Sequence, residues 1–144
     1  MSSIRSCSNE AIFHWRIAFF LALGASACDE EGARAERQEL AGLTRAIDAL
    51  RDADNGRKAE PLAQLEEHGC LTSCELKAIC VGAYRAQVAA TQLVGEFRKS
   101  SGPRGRSASD AELSAARVAF EAAHQKAEVC TEAEFAAKKR LGLD

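Results

Sequence analysis

Leu40, Leu43, Ile47 and Leu50 recur at steps of three, four and three, the spacing that stacks side chains on one face of an α-helix. The stripe predicts a helix over about 33–53, halted at Asp52-Ala53-Asp54-Asn55-Gly56, a stop-and-turn composition. Pro61 suits the first turn of a short second helix over 61–68, which carries Leu62 and Leu65 and closes at Gly69. Thr72 and Glu75 stand three apart, as in a capping box, and launch a long helix over 73–99. Its stripe runs Leu76, Cys80, Ala83, Ala90, Val94 and Phe97, broadened by Ile79, Ala86 and Leu93. The segment Ser100-Ser101-Gly102-Pro103-Arg104-Gly105-Arg106 breaks the period.

A second capping box, Ser109 with Glu112, opens a helix over 110–130. Leu113, Ala116, Phe120, Ala123, Ala127 and Cys130 step along it by three and four. Thr131 to Glu134 is expected to cap a last helix over 132–140, with Phe135 buried and Lys138-Lys139-Arg140 at its end. No segment shows the period of two that marks a strand, and no repeat is present. The pattern therefore predicts an all-α protein, a small helical bundle built on a long antiparallel helical hairpin.

The first residues follow other rules. Arg5 and Arg16 precede an uncharged apolar run from Ile17 to Ala27, and the chain turns acidic at Asp29, Glu30 and Glu31. A basic start, a short apolar stretch and small residues at its end describe a secretory signal peptide, here 1–27. Eleven apolar residues cover only about half of a bilayer core that needs ~20. Ala25-Ser26-Ala27 before Cys28 resembles the lipobox of bacterial lipoproteins, in which the cysteine after the cut becomes N-terminal and lipidated. The resemblance covers the leader and Cys28 only. It implies export to the cell envelope and a membrane anchor at Cys28. Ordinary release after Ala27 is the alternative, giving a soluble periplasmic or secreted chain.

Removing 27 of 144 residues leaves 117 for a single helical domain over 28–144. The leader takes the sole Trp and three of six Phe residues with it. About a fifth of the remainder is alanine, which favours helix. Its charges are 17 basic (19 − 2) against 20 acidic (21 − 1), a net of −3. That balance points away from nucleic acid, which asks for a basic face. Arg98, Lys99, Arg104 and Arg106 gather at the hairpin tip, where the expectation is a solvated end.

Four cysteines of the mature domain follow Cys28, and an exporting address favours their oxidation. If the hairpin closes so that residue 100 meets 109, residue 80 meets 129, and Cys80 faces Cys130 on the partner-facing stripe. Cys70 lies outside the helix that Cys74 begins, so the chain can bend to join them. Cys74 with Cys80 would need nearly opposite faces of one helix. The expected disulfides are Cys80–Cys130 and Cys70–Cys74. The competing chemistry is thiol redox at Cys70 and Cys74, with Cys74 at a helix N-terminus, or a metal held by His68, Cys70 and Cys74 with Cys80 or Cys130. The spacing is C-x-x-x-C, unlike thioredoxin's C-x-x-C, and no C-x-x-C-H is present for haem.

His68 is expected to steady the end of its helix and His124 to sit at a core edge. No G-x-S-x-G, P-loop, G-x-G-x-x-G or H-E-x-x-H motif occurs, and no catalytic set or cofactor is indicated. The sequence thus points to an exported, lipid-anchored binding or scaffolding module without catalysis, with an unidentified protein partner. Thiol redox or metal handling at Cys70 and Cys74 is the alternative. Val81 and Val88 lie off the main stripe, which leaves apolar surface for a homodimer.

Overall fold

The computed structural model describes residues 25–100 and 109–143. The signal peptide expected over 1–27 lies outside them except for its last three residues, and so do Arg104 and Arg106. Four α-helices follow in order: α1 (Ala25–Asp52), α2 (Ala59–Glu67), α3 (Cys74–Ser100) and α4 (Asp110–Arg140). A 3₁₀ turn at Asn55–Arg57 joins α1 to α2. Antiparallel α3 and α4 run along each other, α1 packs against both, and α2 fills the angle between α1 and α3.

The stripe on α1 is the centre of the core. Leu40, Leu43, Ile47 and Leu50 are fully enclosed, with Leu62 and Leu65 of α2 and Leu76, Val81 and Tyr84 of α3 around them. Each such aliphatic side chain removed from water is worth about 1.5–3 kcal/mol, so this patch outweighs any single polar contact in the molecule. The Cys80–Cys130 disulfide sits within the same cluster.

Five expectations are corrected. The first helix begins at Ala25 rather than near 33, because the Ala-, Glu- and Arg-rich segment before the stripe is itself helix-forming. The fourth helix does not break at 130–132 but runs to Arg140. Thr131 turns its hydroxyl back to the Ala127 carbonyl at 3.0 Å instead of capping. Phe135 is 62 % exposed, whereas Glu134 is 3 % exposed. The buried face steps from Ala123 to Cys130, Glu134 and Ala137, and Phe135 lies about 100° away from Glu134. Leu113 and Phe120 are exposed, since α1 and α2 cover only the part of the hairpin remote from its tip. Finally, Val81 is in the core rather than off the buried face, and Val88 packs half-buried on its edge.

The helix ends are closed in two ways. Ser109 and Glu112 form the expected reciprocal box at the start of α4. At its end Gly142 adopts φ 64°, which lets the Leu143 amide return to the Lys138 carbonyl at 3.0 Å. Elsewhere a lysine from the following element does the closing. The Lys58 ammonium, on a residue only 4 % exposed, donates to the Leu50 carbonyl and lies 5.8 Å from the Tyr84 ring centre. Lys77 donates to the carbonyls of Glu66 and His68, both at 2.6 Å, and so closes α2. Cations at helix C-termini are favoured by the helix dipole.

Candidate functional site

Both expected disulfides are present. Cys80 and Cys130 join α3 to α4 with Cα atoms 4.8 Å apart, and Cys70 and Cys74 close the turn before α3 with Cα atoms 5.1 Å apart. The two differ in surroundings. Cys80 and Cys130 are enclosed in the core, whereas Cys74 is exposed and Cys70 half-buried.

The turn carrying Cys70 is held by α1. The Glu39 carboxylate accepts from the amides of Leu71 at 3.0 Å, Thr72 at 3.2 Å and Ser73 at 2.8 Å, and from the Thr72 hydroxyl at 3.3 Å. Thr72 therefore does not form the expected box with Glu75. The Ser73 carbonyl accepts the first helical bond, from Lys77, and the acid that gathers the loose amides comes from another helix. Burial pushes the Glu39 carboxyl up, but the hydrogen bonds from Ser73, Leu71 and Thr72 outweigh it and hold the group below its ordinary range.

His68 caps α2 through its backbone, donating its amide to the carbonyls of Gln64 and Leu65. Its ring Nδ1 donates to the Gly69 carbonyl at 2.8 Å, and its Nε2 lies against Gly42 of α1. The ring thus belongs to the α1–α2 contact. The metal set His68, Cys70 and Cys74 is not assembled: the two sulfurs are bonded to each other, and among the described residues no group of three His, Cys, Asp or Glu is placed to hold a metal ion. His124 is exposed rather than at a core edge, 3.3 Å from Glu128.

One buried ion cluster went unforeseen in the sequence. Glu134 meets Arg51 of α1 at 2.5 Å and Lys138 one turn on at 2.7 Å, and Arg51 also reaches Asp48 at 2.9 Å. Burial raises the Glu134 carboxyl, but the hydrogen bonds and charges of Arg51 and Lys138 reverse that and hold it low. The only trace in the sequence is an acid at the position where the α4 stripe calls for an apolar residue.

Both depressed carboxyls stabilise the fold in the same pH direction. Their ionised contribution is complete above the ordinary value of 4.5 and is lost as pH falls through their lower folded values. The denaturant midpoint is accordingly expected to hold from neutral pH to about 5 and then drop. Glu39→Gln and Glu134→Gln should each weaken the protein at pH 7 and flatten that drop.

Surface hollows accompany the described helices. One of about 320 Å³ lies between the start of α3 and the end of α4, with Ser73, Leu76 and Arg140 in its wall. A second, about 390 Å³, follows the hairpin past Ile79, Gly82 and Val129. A third, about 350 Å³, brings Cys74 together with Lys77 and Arg85. Comparison with known proteins supplies no relative: no protein-family model matches the chain, and no curated protein or solved structure is similar to it.

Proposed function

We propose that the chain is exported, anchored to a bacterial membrane by a lipid on Cys28, and acts at the cell envelope as a binding or scaffolding domain without catalysis. The cysteine pairing carries this reading. Of six cysteines, Cys7 falls in the leader and four form two disulfides, so Cys28 is the one cysteine after the leader that lies outside those pairs. It directly follows Ala25-Ser26-Ala27, where a lipidated cysteine belongs. No helix among the described residues is long and apolar enough to cross a membrane, so a membrane address rests on the lipid.

The polar groups favour binding over catalysis. Glu39, Lys58, Arg51 and Glu134, whose ionisation their surroundings shift, all serve to close helix ends or join helices. Glu36 of α1 pairs with Arg140 at the end of α4, and the helix between Cys28 and Glu36 spaces the anchor from the domain by about 12 Å at 1.5 Å per residue. The surface offered to a protein partner is α4, on which Leu113, Val118, Phe120, Val129 and Phe135 are exposed.

Expression of the full chain in a bacterium tests the anchor. The native protein should sediment with membranes and carry a lipid-modified N-terminal cysteine by mass spectrometry. Each buried CH₂ of the acyl chains contributes ~0.8 kcal/mol to that attachment. Cys28→Ser should appear in the soluble fraction or stay uncleaved. A soluble native chain beginning at an unmodified Cys28 would refute the proposal.

A further inference from the structure

The Cys70–Cys74 disulfide is placed where it adds little to the fold. It spans a separation of four residues, and so short a loop confines the unfolded chain far less than the 50-residue loop of Cys80–Cys130. The turn it closes is already fastened by Glu39, through three amides and one hydroxyl. The disulfide can therefore open without releasing the start of α3. Solvent reaches it as well: Cys74 is exposed, and Leu71 within the turn is 89 % exposed.

Cys74 is also the more open of the two sulfurs. It is the first residue of α3, directly after the turn whose amides the Glu39 carboxylate holds. The hollow it lines is walled by Lys77, whose ammonium is held by the Glu66 and His68 carbonyls, and by Arg85, paired with Glu66 at 2.7 Å.

We propose that Cys70–Cys74 is a thiol–disulfide exchange site, with Cys74 the sulfur that bonds to the partner and Cys70 the resolving thiol, and that Cys80–Cys130 is the permanent staple. The partner class is a dithiol, small or protein-borne, that enters the hollow beside Lys77 and Arg85. Its thiolate attacks Cys74 Sγ, the Cys70–Cys74 bond breaks, and Cys70 leaves as a thiolate that takes a proton from water. The partner's second thiolate then attacks the mixed disulfide and releases Cys74. Two electrons pass to the Cys70–Cys74 pair, and the partner dithiol becomes a disulfide. The reverse sequence oxidises the pair.

The test uses the folded full-length chain with graded dithiothreitol, followed by alkylation and peptide mapping. Cys70 and Cys74 should become alkylated while Cys80–Cys130 stays closed and helical circular dichroism is unchanged. Opening of both disulfides together with loss of helicity would overturn the proposal, as would opening of Cys80–Cys130 first. Glutathione disulfide then distinguishes the two sulfurs. Cys70→Ser, which leaves Cys74 free, should form a mixed disulfide severalfold faster than Cys74→Ser, because Cys74 is exposed and Cys70 half-buried. Equal rates, or faster capture on Cys70, would overturn the assignment of Cys74.

Discussion

Replacing Cys80 and Cys130 together by alanine is expected to destabilise the protein by about 4 kcal/mol, the chain-entropy value for its 50-residue loop. At about 4 °C per kcal/mol for a domain of this size, the melting temperature should fall by roughly 15 °C. The substitution also replaces two enclosed sulfurs in the core by smaller methyls, which adds to the loss. Helicity at low temperature should survive. The α1 stripe, the Ser109–Glu112 box and the lysine caps do not depend on the disulfide. Replacing Cys70 and Cys74 instead should cost at most about 2 kcal/mol on the same reckoning, and Glu39 should reduce that further. Thermal melts followed by circular dichroism compare the two variants directly. A double replacement at Cys80 and Cys130 that melts within a few degrees of the parent would show that α1 alone holds the hairpin closed.

The second large effect belongs to Arg51. Arg51→Met should lower stability by about 3 kcal/mol at pH 7, because it strips the main partner from a carboxylate only 3 % exposed. Lys138 remains beside Glu134 and keeps the loss from being greater. The deficit should shrink below about pH 5, since protonating Glu134 removes the charge that Arg51 neutralises. Adding Glu134→Leu to Arg51→Met should recover most of the stability, as a well-packed apolar pair is often no worse than a buried ion pair. A double-mutant cycle by urea unfolding measures the coupling. A coupling near zero would mean that the cluster is solvated enough for each group to stand alone.

The periodicity of the chain was sufficient for the hairpin and for the buried stripe of α1, though not for the start of α1 or the unbroken run of α4. Leu40, Leu43, Ile47 and Leu50 stand on one face whatever they meet, so the buried side of α1 is legible before any partner is known. The hairpin register follows in the same way. A helix advances by a constant rise, so the loop between 100 and 109 determines which residues pair along α3 and α4. That is why Cys80 and Cys130 could be matched across fifty residues, and why the Cys70–Cys74 turn, a purely local matter, could be matched beside them.

What periodicity does not contain is which part of each stripe a third helix will cover. Leu113 and Phe120 share the spacing of Ala123 and Cys130, yet they stay exposed because α1 and α2 stop short of the hairpin tip. Glu134 reads as part of a cap ahead of a buried Phe135, and the order is reversed because the helix runs on and Arg51 arrives from another helix to neutralise the acid.

The same holds for the closure of the helices. Ser109 and Glu112 lie three residues apart and form their box from local sequence alone. Thr72 and Glu75 have the same spacing, but Glu39, more than thirty residues earlier, takes the amides of the turn instead. Lys58 and Lys77 likewise become helix caps only because the chain folds back on the carbonyls it has just left. By itself the sequence determined the hairpin, the buried stripe of α1 and the cysteine pairing, since each depends on spacing along a regular repeat. Only the tertiary structure decided the partners of Glu39, Arg51, Lys58 and Glu134, because a charge settles wherever the packed helices leave an opposite charge or an open backbone group within reach.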